Sequence, residues 1–95
     1  MPAATRVGDA DLVHCSGMTR AVGSHDVFVN GRPWSRRGDV NTPHLLPGDP
    51  CPTHSAPIAL GSVMTLVNGK GGGRVGDVIS GCTAVAQGSH DVFAG

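Results

Sequence analysis

The chain has 95 residues, with seven acidic and seven basic side chains, no net charge and no run of either sign. That balance excludes the electrostatic footprint of a nucleic-acid binder, and no stretch approaches the roughly twenty apolar residues a membrane-spanning helix needs. Trp34, Phe28 and Phe93 are the three aromatic residues, against 15 Gly and 7 Pro; so little large apolar surface predicts help from a metal, a disulfide or a partner.

Three cysteines cannot all pair with one another, which argues against a disulfide framework. The N-terminal stretch MPAATRVGDADLVHC lacks the apolar core of a signal peptide, so synthesis and folding in the cytoplasm are expected. The short apolar runs are rich in Val and recur at a fixed spacing, which argues against disorder despite the Gly and Pro content.

In chain order, residues 1–14 read as an extended arm with a turn at Gly8-Asp9. Ala21–Asn30 reads as a strand carrying Val22, Val27, Phe28 and Val29, and it ends at Asn30-Gly31. Asn-Gly is the strongest short hairpin signal, because both central positions of a type I′ turn need positive φ. Arg32–Arg37 returns as its partner, with Pro33 suited to an edge. Val40–Ala59 is Pro-rich and reads as an inserted loop. Ile58–Asn68 and Lys70–Val75 form a second hairpin about Asn68-Gly69, and Val78–Phe93 supplies the last strands. No apolar stripe at i, i+3, i+4, i+7 is long enough for a helix.

The chain repeats itself. Gly61–Cys82 overlays Gly23–His44 at an offset of 38 residues without a gap, matching Gly23/Gly61, Ser24/Ser62, Val29/Val67, Asn30/Asn68, Arg36/Arg74, Gly38/Gly76 and Asp39/Asp77 among others. Arg6–Asp9 and Gly88–Phe93 supply the remaining halves at the two ends. Such a repeat implies similar structural units. Five residues beyond the Asp of each Arg-x-Gly-Asp stand His14, His44 and Cys82, so three equivalent points carry metal-ligating side chains. The distance from His14 to Gly23 is nine residues and from His44 to Gly61 seventeen, which places an eight-residue insertion in the second unit; that insertion carries His54.

These residues resemble the PAAR-repeat family, the small proteins that tip the spikes of contractile injection machines. Pro2-Ala3-Ala4-Thr5-Arg6-Val7-Gly8-Asp9 is similar to the family's Pro-Ala-Ala-Arg start, with Thr5 before the Arg. GRPWSRRGD (31–39) and GKGGGRVGD (69–77) look like degenerate copies, and GSHDVFVNG looks like its Gly-Ser-x-x-Val-x-Val-Asn-Gly segment. The likeness covers almost the whole chain. It implies an all-β fold: a small cone of short strands and hairpins, built from three degenerate repeats in a pseudo-threefold arrangement and pinned by zinc near its tip. Residues 1–95 would then be one domain with no appended effector domain.

The resemblance also implies a zinc ion held by three His and one Cys. The residues lead to the same set independently: three equivalent ligands, His14, His44 and Cys82, would converge on a pseudo-threefold axis, and His54 from the insertion would supply the fourth of a tetrahedral site. Four N and S ligands without water make a closed structural site. Cys51 is the better rival, since Cys51-Pro-Thr-His54 has ligand-like spacing and Cys51 could replace one His, although the repeat register already supplies a thiolate at Cys82. Cys15 adjoins His14 and would point the other way in extended chain. His25 and His90 sit at equivalent positions in GSHDV, but the middle copy has Val63 there, which suits an outer face or a turn. Each Asp of Arg-x-Gly-Asp reads as a turn residue bonding nearby backbone N–H groups, while Arg6, Arg36 and Arg74 are open between carboxylate pairing and solvent.

Three functional classes follow. A zinc hydrolase needs an open coordination position and a general base, and the sequence has neither His-Glu-x-x-His nor any Glu. By resemblance, the expected role is the tip of a piercing spike, one copy bound end-on to a VgrG-like or phage-spike trimer, with transient contact at the target membrane. On its own the chain is then a monomer, and it leaves the cell as part of a spike or virion tail. The alternative is an adaptor that docks effectors on a secretion machine, or the tip of a phage tail spike.

Overall fold

The computed structural model describes residues 1–13, 17–43, 55–80 and 83–95. Within them the chain is all-β and helix-free. Two antiparallel hairpins pair β1 (Phe28–Val29) with β2 (Arg32–Pro33), and β3 (Leu66–Val67) with β4 (Lys70–Gly71). Their turns are those the sequence predicts: φ is 54° at Asn30 and 77° at Gly31, 55° at Asn68 and 79° at Gly69, the positive pair that a type I′ turn demands. The strands are far shorter than Ala21–Asn30 or Ile58–Asn68, because the chain bends at Gly23-Ser24 and Gly61-Ser62. At each bend the Ser hydroxyl accepts the N–H groups two and three residues on, from Asp26 and Val27 or from Met64 and Thr65.

Pro2–Ala4 and Val92–Ala94 pair in the manner of the two hairpins. Ala4 N–H donates to Val92 O (2.9 Å), just as Trp34 donates to Val27 O (3.0 Å) and Gly72 to Thr65 O (3.0 Å). Val29, Val67 and Ala94 turn inward from these three places and pack with Ala4 and Trp34. Trp34 fills the space that Ala4 and Gly72, its repeat equivalents, leave empty, and a Cβ on Gly72 would lie 2.7 Å from the Trp34 ring.

Beyond the hairpins the backbone closes on itself. Thr5 N–H donates to Gly73 O (3.0 Å), Gly73 N–H to Ser35 O (2.8 Å) and Ser35 N–H to Thr5 O (3.0 Å), a ring of three bonds. Thr5 therefore stands in register with Ser35 and Gly73 rather than as an extra residue. The next residues repeat the pattern: Val7 donates to Pro33 O, Arg37 to Gly71 O and Val75 to Ala3 O, at 2.8–2.9 Å. Gly73 has no room for a side chain, since a Cβ would sit 2.7 Å from both Ser35 O and Ile58 Cδ1. Gly73→Ala should therefore cost about 2–3 kcal/mol by overpacking. Gly31→Ala, at positive φ with nothing within 4 Å, should cost about 1 kcal/mol. Urea titration of both variants checks the order; equal losses would mean the ring is not tightly closed.

Each Arg-x-Gly-Asp forms a turn in which the Asp N–H donates to the Arg carbonyl at 2.9–3.0 Å, with Gly8, Gly38 and Gly76 at φ of 93°, 85° and 92°. This is a type II turn, which needs positive φ at its third residue. The Asp carboxylate takes the Arg N–H and guanidinium of its own turn, with backbone bonds of 2.8, 2.8 and 2.7 Å. The Asp reading is thus met, and the Arg alternatives resolve to carboxylate pairing in all three copies.

After the turns come three antiparallel pairs, bridged at Ala10↔Thr19, Val40↔Pro57 and Val78↔Ala84. Here the expectation of a loop over Val40–Ala59 needs correction: Val40-Asn41 and Ala56–Ile58 are paired, because Ala56 and Ile58 belong to the core. Neighbouring pairs join through Arg20↔Asn41, Ile58↔Ile79 and Asp11↔Val85, which closes six segments into a ring. The body measures 38 × 23 × 22 Å, long on one axis and nearly equal on the other two.

Candidate functional site

His14, His44, His54 and Cys82 lie outside the described residues, as do Cys15 and Cys51. Among the described residues no group of three or more His, Cys, Asp or Glu is placed to hold a metal ion. What the described residues do establish is the setting of the ligand-bearing segments. Residues 14–16, 44–54 and 81–82 join the far ends of the three strand pairs that make up the closed ring. Bonds between pairs persist close to those ends: Leu12 N–H donates to Ala84 O (2.8 Å), Thr42 to Thr19 O (2.8 Å) and Ser80 to Pro57 O (2.9 Å). Leu12, Thr42 and Ser80 each stand two residues before His14, His44 and Cys82. A site drawing one side chain from each of 14–16 and 81–82 and two from 44–54 would fit this arrangement, and a donor set of three imidazoles and one thiolate suits tetrahedral zinc.

The interior beneath this end is half apolar and half polar. Three repeat-equivalent residues follow the turns, Asp11, Asn41 and Ile79, and three return beside them, Arg20, Ile58 and Val85; all six are buried. On one side Ile58, Ile79, Val85 and Ala56 form a core. On the other, Arg20, with 1% of its surface exposed, donates to Asp11 Oδ2 (3.0 Å), Asp39 O (2.6 Å) and Ser35 Oγ (3.2 Å). Asn41 Nδ2 also donates to Asp11 Oδ2 (3.2 Å), and Asn41 Oδ1 accepts the Ala56 N–H (2.9 Å). A buried charge persists only when paired and hydrogen-bonded, and here the same bonds fix the backbone leading into residues 14–16 and out of 44–54.

Sequence reasoning missed this network. Its signal was present in the repeat register: Arg20 aligns with Ile58 and Val85, and Asp11 with Ile79, so opposite charges replace a contacting apolar pair.

At the hairpin end, Phe28, Leu66 and Phe93 are repeat-equivalent and 55%, 62% and 49% exposed. The hairpin turns are tied to the neighbouring bends: Asn30 Oδ1 accepts from Arg6 and from the Ser89 hydroxyl, and its Nδ2 donates to Asp91; Asn68 meets Arg36, Ser24 and Asp26 in the same way. Asn68 and Ser24 hold the Asp26 carboxyl below its usual value, and Asn30 and Ser89 do the same for Asp91. Burial pushes the Asp9 carboxyl up, but Arg6 and Arg32 outweigh it and the net direction is down. His25 and His90 lie exposed beside Asp26 and Asp91, on the outer surface. No protein-family model matches the chain, and no curated protein is significantly similar to it.

Proposed function

We propose that this chain is a PAAR-like structural tip: a zinc-pinned, pseudo-threefold cone that sits end-on on a trimeric β-helical spike of a contractile injection machine, one copy per trimer. The observation that carries this reading is the single hydrogen-bond set repeated three times around one axis, from the hairpins through the Thr5–Gly73–Ser35 ring to the three strand pairs. A closed trimer offers three identical surfaces, and an asymmetric ligand on its axis normally satisfies one of them. Three equivalent faces on one chain meet all three.

In mechanical terms, the hairpin end would dock, with Phe28, Leu66 and Phe93 offering one exposed apolar side chain to each subunit. Three such patches together can reach the roughly 1,200–2,000 Å² of a stable interface. At the other end stand six strand segments around a small core. There His14, His44, His54 and Cys82 would hold one zinc ion, whose chemistry is cross-linking. The ring bonds and the Arg20 network keep the three pairs in register, so axial load from a contracting sheath passes along a closed backbone. The test is co-expression with a spike trimer, VgrG-like or from a phage tail. The complex should survive purification in about 0.5 M salt, since at that ionic strength exposed charge pairs are largely screened. Replacing Phe28, Leu66 and Phe93 with Asp should abolish it. Retention by the triple variant would refute the docking end.

A further inference from the structure

We infer that a groove on one flank of the molecule, between β3–β4 and the turn at Arg36–Asp39, binds an extended segment of another protein in which an apolar side chain and a carboxylate lie two residues apart. This goes beyond the spike-tip reading and holds without it; Leu66 belongs to both surfaces, so the segment and a spike subunit would compete for that side chain.

The groove has a volume of about 460 Å³ and is walled by Leu60, Val63 and Leu66, with Arg37 and Lys70 at its edge. All three walls are exposed large apolar residues. Its existence follows from departures from the repeat. Gly71 stands where Pro33 stands in the first hairpin, and the backbone of Leu60 and Ser62 closes on it, leaving no room for a Cβ. Val63 replaces the polar His25, and Arg37 replaces Val7.

The two cations distinguish it further. Arg6, Arg36 and Arg74 pair with the Asp of their own turns, Arg20 with Asp11, and Arg32 with Asp9. Among the described residues, Arg37 and Lys70 are the basic side chains without a carboxylate, and both line this groove, which no acidic side chain lines. Lys70 is the repeat equivalent of Arg32, yet Arg32 joins Arg6 on Asp9 while Asp39 has Arg36 alone. In a chain of zero net charge, two unspent cations beside an apolar trough are complementary to a ligand carrying both an apolar group and an anion. A free phosphate supplies only the second. In an extended peptide, side chains at i and i+2 share a face, so a Leu-x-Asp core presents both groups to the groove at once.

The test uses the full chain and fluorescein-labelled octapeptides with a Leu-Ser-Asp core, set against Leu-Ser-Asn and Ala-Ser-Asp versions. Anisotropy should show saturable binding of the first, weakened by about tenfold or more in each of the others, the scale of losing one charge-assisted hydrogen bond or one buried side chain. Arg37→Glu with Lys70→Glu should abolish it, and both side chains are exposed and free of hydrogen bonds, so the melting temperature should hold. If that variant does fold poorly, Lys70→Gln alone should still weaken binding several-fold. Amide shift changes should centre on Leu60, Val63 and Leu66. Equal binding of the Asn peptide, displacement by inorganic phosphate at equal concentration, shifts elsewhere, self-association of the chain through this flank, or no binding at millimolar peptide would overturn the inference.

Discussion

Removing the proposed zinc ion from the purified chain should lower its melting temperature by roughly 15–25 °C. Structural zinc sites contribute about 10 kcal/mol or more to folding, and a third of that, at about 4–8 °C per kcal/mol for a domain of this size, gives the range. The described cores are small, Ala4, Val29, Trp34, Val67 and Ala94 in one and Ala56, Ile58, Ile79 and Val85 in the other, so little else can compensate. Elemental analysis should return one zinc per chain, lost in Cys82→Ala and kept in Cys51→Ala; the reverse pattern would assign the thiolate to Cys51. The pH dependence separates the site from the carboxylates. Asp9, Asp26 and Asp91 are held below their usual values, so their contribution is complete above the ordinary carboxylate range and is lost only as pH falls through the lowered values. Loss of stability between about pH 6.5 and 5, where free His titrates, therefore reports on the ligands. A chelated form melting within a few degrees of the metal-bound one would contradict this account.

Arg20→Met should cost about 3–5 kcal/mol, the penalty for breaking a buried ion pair by removing one partner. The loss takes the guanidinium from Asp11 Oδ2 and removes one of the bonds made by the Asp39 carbonyl, which keeps the Ile58 N–H, and by the Ser35 hydroxyl, which keeps Val22 O. Against a total stability of about 5–15 kcal/mol, much of the population would unfold on mild heating. Arg20→Lys should not rescue it, because an ammonium cannot span three acceptors in the guanidinium fork. Arg20→Val with Asp11→Ile copies the contacting residues Val85 and Ile79 and should recover more than half of the loss, since replacing both partners by apolar groups is often near neutral. Chemical denaturation of the four proteins measures this; a loss below about 1 kcal/mol in Arg20→Met would show the network to be dispensable.

What could be read from the sequence was local. Asn30-Gly31 and Asn68-Gly69 specify their turn through the φ angles they tolerate, and each Arg-x-Gly-Asp carries within four residues the glycine and carboxylate its turn requires. Strand lengths were not legible, because Val22 and Val27 satisfy β-propensity on both sides of the Gly23-Ser24 bend. That bend is set by a contact distant in sequence: Gly23 abuts Pro33, where a Cβ would sit 2.9 Å from the ring. The pairing of Val40-Asn41 with Ala56–Ile58 was hidden by the intervening prolines, which say nothing of what lies on either side. Arg20 looked like one more charge until its partner Asp11 was seen beside it. The ligand proposal rests on repeat register, and the described structure adds the closed ring of strand pairs that flank those segments in sequence.

The central claim, one pseudo-threefold chain on a threefold partner, is tested most directly by native mass spectrometry of the complex co-expressed with a spike trimer. A single mass of three spike subunits and one copy of this chain, unchanged in excess tip protein, is the predicted result. Three copies per trimer would mean that each subunit binds its own, and the repeated hydrogen-bond set would then serve the fold alone.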